Sequence, residues 1–213
     1  MKKNNLIKII GLLLIPAIFL SSCGPKKVET TNEPTPVATK LIELKPEEQP
    51  YIKLIPRADG HELKLVVQKI NSNVSEIEYE LIYTAQDNGM EIEKGVSGNI
   101  AVTNGSAQRD LLLGTSSCTN GCKYKYDTGV SSGSLLLTLI NNSGQVSTYE
   151  TPFVLKSAAE LKKDKAIGLP SENFSTPITA KTGEYYTIIK NALAYSVFSS
   201  NSSNPLVSET PLE

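Results

Sequence analysis

The sequence contains few of the side chains on which enzyme chemistry most often depends. Its 213 residues include one His, three Cys and no Trp. The chain also lacks a P-loop, a Rossmann glycine pattern, a Gly-x-Ser-x-Gly motif and a His-Glu-x-x-His motif. We therefore predict that the protein is not an enzyme and has no catalytic residues, no metal and no cofactor.

An excess of positive charge is also missing. The 21 Lys and Arg residues are matched by 22 Asp and Glu residues, which gives a formal net charge of −1. Nucleic-acid-binding domains usually carry a basic patch, so this balance argues against a nucleic-acid partner. Long helix-forming runs are scarce as well, whereas nine Tyr, 14 Gly and many Ser, Thr and Asn residues favour strands joined by turns.

The N-terminus has the three parts of a secretory signal peptide. Residues 1–8 are basic, residues 9–20 form an uncharged apolar run, and residues 21–22 are both Ser. The apolar run is shorter than the roughly 20 residues that a membrane-spanning helix needs. We predict a signal peptide over residues 1–22.

The segment Leu-Ser-Ser-Cys at residues 20–23 resembles the lipobox of bacterial lipoproteins, in which an apolar residue and two small residues precede a Cys. The resemblance implies that Cys23 becomes the mature N-terminus and receives a diacylglyceryl thioether and acyl chains such as palmitate. Two or more chains bind a bilayer stably, whereas one binds only marginally. We predict an extracytoplasmic protein that lipid on Cys23 anchors to a bacterial membrane, and the sequence leaves open which membrane.

Residues 23–50 are predicted to be a flexible tether. Five prolines and many Thr, Glu and Lys residues leave too little apolar surface to offset the entropy of folding. The short apolar stretch at residues 41–44 has an alternative interpretation, a first strand docked on the domain that follows.

Residues 51–156 are predicted to form a β-sandwich domain. Apolar and polar side chains alternate, most clearly at residues 76–83, where residues 76, 78 and 80 are Glu. Asp-Gly at residues 59–60 and Asp-Asn-Gly at residues 87–89 are strong turn signals. About seven strands in this length are typical of immunoglobulin-like and fibronectin-like sandwiches. The expected strands lie near residues 51–55, 63–67, 76–83, 96–102, 109–113, 135–140 and 145–155.

Residues 157–213 are predicted to form a C-terminal extension. Ser157 and Glu160 match a capping box, which predicts a short helix over residues 157–165. The remaining parts are two strand-like runs, forming a small hairpin that packs on the sandwich or adds to its edge, and a frayed tail, at residues 185–189, 193–198 and 201–213.

Cys118 and Cys122 flank a tight turn that contains Asn-Gly. This pair allows positive φ, so the chain can bring the two thiols within bonding distance. Secretion supplies oxidising surroundings, and the spacing favours a structural disulfide. Two alternatives stay open: a metal site, which would need further ligands, and a redox pair, which normally has two intervening residues and not three.

Three segments, at residues 56–63, 79–83 and 111–114, place a turn, a strand and a leucine run before the Cys pair. Together they resemble an uncharacterised group of secreted sandwich-like proteins from small-genome bacteria, in which these features recur in this order. The resemblance implies a location in the cell envelope and supports the disulfide. It implies no activity and no catalytic residues.

Lys123, Tyr124, Lys125 and Tyr126 are the best candidates for contact with a partner. Tyr offers a rigid amphipathic surface and Lys adds charge, and both are useful in recognition loops. The alternative is a strand with its Tyr side chains packed and its Lys side chains extending into water.

Two other groups contain residue types that are suited to catalysis. Asp59 and His61 could form an acid–base pair. Glu76, Glu78 and Glu80 share one strand face with about 6.8 Å between neighbours, which is compatible with an inverting glycosidase. Asp59 belongs to a turn, however, and an acidic strand face is usually the solvated side of a sheet. We predict no catalytic use of either group.

These observations favour a membrane-anchored binding or adhesion module whose partner is an envelope or cell-surface protein or glycan. The alternative is a structural envelope component without a specific ligand. A third interpretation is an enzyme that acts on glycan or murein.

We expect Cys23→Ala to release the protein from the membrane fraction, because the variant has no thiol at this position to receive lipid. Fractionation of cells of the native source, followed by immunoblotting, measures the distribution. Retention of the variant in the membrane fraction would refute the lipid anchor.

Overall fold

The computed structural model describes residues 41–192 and 194–209. The predicted signal peptide, the predicted lipidation site Cys23 and residues 24–40 of the predicted tether lie outside the described residues. No helix among the described residues has both the length and the apolar character needed to cross a membrane.

The described residues are mostly in β-strands. The strands before the helix are β1 (Tyr51–Pro56), β2 (Glu62–Gln68), β3 (Val74–Asp87), β4 (Met90–Ala101), β5 (Ala107–Leu112), β6 (Gly114–Cys118), β7 (Cys122–Tyr126), β8 (Ser132–Asn141) and β9 (Val146–Ser157). After them come α1 (Ala158–Asp164), β10 (Ala166–Leu169), β11 (Phe174–Pro177), β12 (Tyr185–Asn191), β13 (Ala194–Ser199) and β14 (Val207–Glu209). The seven strands expected before residue 157 are all present, and β6 and β7 are additional.

Two sheets pack face to face, which confirms the predicted β-sandwich. The larger sheet is antiparallel and has seven strands in the order β14-β13-β12-β9-β8-β3-β4. The smaller sheet has the order β1-β2-β5. Two further hairpins, β6–β7 and β10–β11, are separate two-stranded sheets.

The main core lies between the two sheets because every second residue of the facing strands is apolar. In β3, Ile77 and Leu81 are fully buried, whereas Glu78 and Glu80 are exposed. Leu65 of β2 packs into the same cluster from the opposite sheet. A fully buried Leu or Ile contributes about 1.5–3 kcal/mol through the hydrophobic effect, so this alternation fixes which face of each strand turns inward.

Within the predicted C-terminal extension, β12, β13 and β14 belong to the large sheet, whereas β10 and β11 form a separate hairpin. β12 pairs with β9, β13 pairs with β12, and β14 pairs with β13. Both faces of β12 are buried: Ile189 lies in the main core, and Ile188 lies in a second cluster with Leu161 of α1 and Ile167 of β10. Two positions were expected for this hairpin, and the structure shows the one in which it adds to the edge of the sheet. The boundary expected at residue 156 lies within one compact unit of the chain.

The short helix α1 begins at the predicted capping box. The backbone N–H of Glu160 donates to Ser157 Oγ at 3.3 Å, and the backbone N–H of Ser157 donates to Glu160 Oε2 at 2.7 Å. These bonds satisfy groups that a helix start would otherwise leave unpaired. The helix covers one part of the outer face of the large sheet, where it contributes to the second cluster.

Residues 41–50, which the sequence assigns to the tether, lie against the domain. The backbone N–H of Ile42 donates to the carbonyl oxygen of Val146 at 2.8 Å, and Leu41 forms an isolated parallel bridge with the same residue. A 3₁₀ turn follows at Pro46–Glu48, and Pro50 is buried. Of the two interpretations of residues 41–44, the structure therefore shows the docked segment. The segment forms a single bridge to the domain and not a full strand.

Buried polar side chains of β12 bind the backbone of β1 across the sandwich. The backbone N–H of Ile52 donates to Asn191 Oδ1 at 2.7 Å, and Asn191 Nδ2 donates to the carbonyl oxygen of Ile52 at 3.1 Å. The hydroxyl of Thr187 donates to the carbonyl oxygen of Leu54. β1 is an edge strand of the small sheet, so these bonds satisfy buried backbone groups that have no strand partner on that side.

Glu184 is an almost fully buried carboxylate, with 6% of its surface exposed. Its Oε2 accepts a hydrogen bond from the hydroxyl of Tyr186 at 2.7 Å, and its Oε1 accepts one from Asn201 Nδ2 at 2.8 Å. The bond from Tyr186, followed by that from Asn201, lowers the pKa of Glu184 below its ordinary value of 4.5. The same carboxylate and the burial of the ring raise the pKa of Tyr186, with burial the larger cause.

We expect this carboxylate to make stability pH-dependent. Because the pKa of Glu184 is lower in the folded protein, its contribution is present above the ordinary pKa of 4.5 and is lost as pH falls through the folded value. Glu184→Gln should cost about 1–3 kcal/mol at neutral pH, because its amide cannot accept both bonds. Its unfolding free energy should then fall less than that of the wild type on acidification below pH 4.5. Denaturant titrations at several pH values measure both effects, and parallel pH profiles for the two proteins would contradict this assignment.

A projecting hairpin as the candidate functional site

The β6–β7 hairpin extends from the sandwich as its own two-stranded sheet. Every residue of β7 is exposed, and the side chains of Tyr124 and Tyr126 are 53% and 36% exposed. The predicted contact residues Lys123, Tyr124, Lys125 and Tyr126 thus lie on a strand, as in the alternative interpretation, but the two tyrosines are at the surface and not packed in the core. The register pairs Gly114 with Tyr126, Ser116 with Tyr124, and Cys118 with Cys122.

Gly114 allows the chain to turn from β5 into the hairpin. Its φ is +151°, and a Cβ at this position would lie 2.3 Å from the carbonyl oxygen of Lys125. Only Gly tolerates such a close approach of two backbones. The small Gly114 and Ser116 also lie opposite the two tyrosines, so the β6 side of the hairpin leaves room for their rings.

A buried carboxylate fixes the base of the hairpin. The side chain of Asp127, directly after β7, is only 6% exposed. It accepts a hydrogen bond from the hydroxyl of Tyr83 at 2.8 Å and forms an ion pair with Lys94. Burial and the neighbouring Asp127 raise the pKa of Tyr83 above its ordinary value. The backbone N–H of Asp127 also donates to the carbonyl oxygen of Leu113 at 3.0 Å, which closes the base of the hairpin. The backbone N–H of Leu113 donates to the carbonyl oxygen of His61 at 3.0 Å, so both ends of the hairpin are joined to the sandwich.

Three rings form what we call the aromatic stack: His61, Tyr126 and Tyr124. The centroids of His61 and Tyr126 are 4.3 Å apart and their planes differ by 5°. The centroids of Tyr126 and Tyr124 are 6.0 Å apart and their planes differ by 6°. The two tyrosines share one side of β7 because side chains alternate along a strand. The result is a row of near-parallel rings that begins at the sandwich and runs along the hairpin.

Arg57 supports the stack at its inner end. Its guanidinium lies 5.7 Å from the ring centroid of Tyr126, within the range of a cation–π interaction. Its Nε donates to Asp59 Oδ1 at 2.8 Å, and a terminal nitrogen donates to Glu62 Oε2 at 3.1 Å. The hydrogen bond with Asp59 is the main cause that raises the pKa of Arg57 and lowers that of Asp59. The β1–β2 turn is thereby fixed against the hairpin.

Asp59 and His61 do not form an acid–base pair in this arrangement. The carboxylate of Asp59 accepts a hydrogen bond from the backbone N–H of His61 at 3.0 Å, not from its imidazole. The imidazole instead stacks on Tyr126. The two residues that could suggest catalysis in the sequence therefore shape the turn and extend the aromatic stack.

The three-residue loop at the tip of the hairpin is closed by a disulfide between Cys118 and Cys122. Their Cα atoms are 4.2 Å apart, and Gly121 in the loop has a φ of +94°. This is the structural disulfide that the spacing of Cys118 and Cys122 favours. Among the described residues, no group of three or more His, Cys, Asp or Glu side chains is placed to bind a metal ion.

Glu76, Glu78 and Glu80 lie on the outer face of the large sheet, on the side of β3 that the alternation predicts. Glu78 and Glu80 border an open depression of about 360 Å³, together with neighbours that include no cationic residue. Glu76 accepts a hydrogen bond from Asn99 Nδ2 at 2.7 Å. The depression is separate from the hairpin, and His61 does not border it.

The sequence indicates the exposed tyrosines but not the residues that position them. Arg57, His61 and Asp127 reach the site only because the β1–β2 turn and the end of β7 meet in the fold. No local pattern marks such a contact between distant segments. The one available signal was indirect: the β1–β2 turn and the Cys pair are both parts of the resemblance noted in the sequence.

Comparisons of the chain with protein-family models, with curated proteins and with solved structures give no significant match.

We expect the paired change Cys118→Ser and Cys122→Ser to loosen the hairpin while the sandwich stays folded. Closing so short a loop contributes about 2 kcal/mol, and the hairpin makes few contacts with the core. Hydrogen exchange should therefore become faster at residues 114–126 and stay unchanged in β3 and β8. Thr119→Ser, in the same loop, is the matched control. Unchanged exchange in the hairpin, or loss of protection throughout the domain, would contradict this view of the disulfide.

Proposed function

We propose that the protein is a lipid-anchored, extracytoplasmic binding module that captures an envelope or cell-surface protein or glycan through its β6–β7 hairpin. It has no catalytic role in this proposal. The lipobox-like segment at residues 20–23 supports the anchor, and the proline-rich residues that follow support a tether.

The single observation that carries the proposal is the exposed aromatic stack on an anchored hairpin. Tyr124 and Tyr126 are large apolar side chains, and few such side chains are exposed elsewhere in the described residues. A tyrosine that serves only the fold normally packs its ring in the core. These two rings instead face solvent in a near-parallel arrangement, which favours a role in contact with another molecule.

The hairpin is also organised in advance for binding. A partner need not order the loop, because the disulfide closes its tip and Asp127 fixes its base. Side chains that are already held in one arrangement lose less entropy on binding, by about 0.5–1.5 kcal/mol each. Tyrosine is also among the residues that most often dominate binding energy at interfaces.

Lys123 and Lys125 lie on the side of β7 opposite the two tyrosines. All residues of β7 are exposed, so both ammonium groups are in solvent. Charges at the rim of a contact mainly raise the association rate and depend on salt, whereas buried aromatic rings mainly lower the dissociation rate. The two faces of the hairpin should therefore contribute to binding in different ways.

We expect the double variant Tyr124→Ala and Tyr126→Ala to lose capture at least about tenfold, since truncating one dominant interface residue costs roughly 2 kcal/mol or more. The test uses the purified full-length chain on intact cells and envelopes of the native source. Cross-linking followed by mass spectrometry identifies what is captured. The domain should stay folded because neither ring belongs to the core, with only a small loss of thermal stability from the lost contacts of Tyr126 with His61 and Arg57.

Two matched controls separate the rings from other effects. Tyr124→Phe with Tyr126→Phe keeps the stack and should retain most of the binding, whereas Lys123→Ala with Lys125→Ala should mainly change the salt dependence. Undiminished capture by the double alanine variant would exclude the hairpin as the contact surface. Absence of any saturable partner for the wild type would reject the binding module itself.

A further inference from the structure

β4 forms one edge of the seven-stranded sheet. It spans Met90–Ala101, pairs with β3 on one side, and has no described strand on its other side. None of its residues is buried. A free edge of 12 residues is long, and a long unpaired edge is a template for pairing with another strand.

The backbone groups on this free edge can be assigned from the pairing with β3. The β3–β4 turn has two residues, 88–89, with φ values of +49° and +80°, so the pair that flanks it is hydrogen-bonded. At the other end, the backbone N–H of Val102 donates to the carbonyl oxygen of Ser75 at 3.0 Å. Both observations place the even-numbered residues against β3. The outward backbone groups belong to Glu91, Glu93, Gly95, Ser97, Asn99 and Ala101.

We propose that β4 pairs antiparallel with β4 of a second copy of this chain, about a twofold axis at Val96. The two seven-stranded sheets then become one continuous sheet. This register uses every outward-facing residue of β4 from Glu91 to Ala101. It places Glu91 opposite Ala101, Glu93 opposite Asn99, and Gly95 opposite Ser97 of the second copy.

The side chains of β4 are complementary to themselves in this register. On the inward face, Ile92 lies opposite Ile100 of the second copy, and Val96 lies opposite its own symmetry mate. Lys94 lies opposite Gly98, which has no side chain to obstruct it. On the outward face, both Glu residues lie opposite uncharged residues. Apolar cross-strand pairs stabilise a sheet and directly opposed like charges destabilise it, so the strand is suited to a twofold partner.

Other registers with the same hydrogen-bonding groups fit less well. A shift of the axis to residue 94 places Lys94 opposite Lys94, and a shift to residue 93 places Glu93 opposite Glu93. A shift to residue 95 or 97 keeps like charges apart but leaves outward-facing residues unpaired and places Ile92 or Ile100 away from its apolar match. Opposed like charges therefore disfavour the registers at residues 93 and 94, and lost pairing disfavours those at 95 and 97, so the proposed register fits best.

The variant Val96→Cys tests this register directly. In the proposed dimer the two copies of residue 96 form a non-hydrogen-bonded pair with Cα atoms about 4.5 Å apart, within disulfide range. Residue 97 and its symmetry mate are diagonal neighbours about 7–8 Å apart, beyond that range. Full-length Val96→Cys, expressed in cells of the native source under mild oxidation, should give a covalent dimer that Ser97→Cys and the wild type do not. No dimer from Val96→Cys, or equal dimer from Ser97→Cys, would overturn the proposal.

A second measurement does not depend on an added thiol. Ser97→Pro removes an outward N–H and leaves the bonds to β3 intact, and an edge strand tolerates such a proline. Ser97→Ala keeps the N–H and is the matched control. Sedimentation of the full-length chain in detergent, over about two decades of concentration, should give a reversible dimer for the wild type and Ser97→Ala, and association at least about tenfold weaker for Ser97→Pro.

A wild type that stays monomeric throughout, or a Ser97→Pro variant that dimerises as well as the wild type, would overturn the proposal. The inference does not rest on the hairpin as a binding site. The Tyr124→Ala and Tyr126→Ala variant should dimerise normally, so failure of one proposal can be distinguished from failure of the other.

Discussion

The fold depends on the polar contacts through which β12 binds β1 across the sandwich. Asn191 satisfies both backbone groups of Ile52, and Thr187 satisfies the carbonyl of Leu54. Ile52 and Leu54 are fully buried, so without these bonds their backbone groups would be unpaired in the core, at a cost of roughly 1–3 kcal/mol for each group. The C-terminal residues therefore complete the sandwich that residues 51–156 begin, and the two parts of the chain form one compact unit.

The geometry of the candidate site depends on these contacts between β1 and β12. β1 leads into the β1–β2 turn, where Gly60 has a φ of +73° and lies against the ring of Tyr185 at the start of β12. A Cβ on Gly60 would be 2.4 Å from that ring, so the turn and β12 fit together only with Gly at this position. The β1–β2 turn also places Arg57 and His61 against the ring of Tyr126. The exposed aromatic stack is thus positioned by buried contacts on the far side of the turn.

Local patterns in the sequence predicted the parts of this fold that depend on neighbouring residues. The alternation around Ile77 and Leu81, the capping box at Ser157 and the Cys118–Cys122 pair all involve residues a few positions apart, and each is present as expected. The role of β12 was not predictable in this way, because a strand that is buried on both faces has no alternation to mark its partners. The aromatic stack was missed because it joins segments that meet only through the tertiary structure. The lipid anchor at Cys23 rests on sequence alone.

The chain enters the domain at one end of the large sheet, and the hairpin is fixed at the other. Leu41 bridges Val146, which lies level with Ile140 and Glu76, whereas Asp127 binds Tyr83 seven residues further along β3. At about 3.4 Å per residue, these points are about 24 Å apart along the strands. Under the proposed function, a pulling force between a membrane-held tether and a captured partner would therefore run parallel to the strands. Such a load would shear many backbone hydrogen bonds at once and would not open them one at a time, so this geometry would resist extension along that axis.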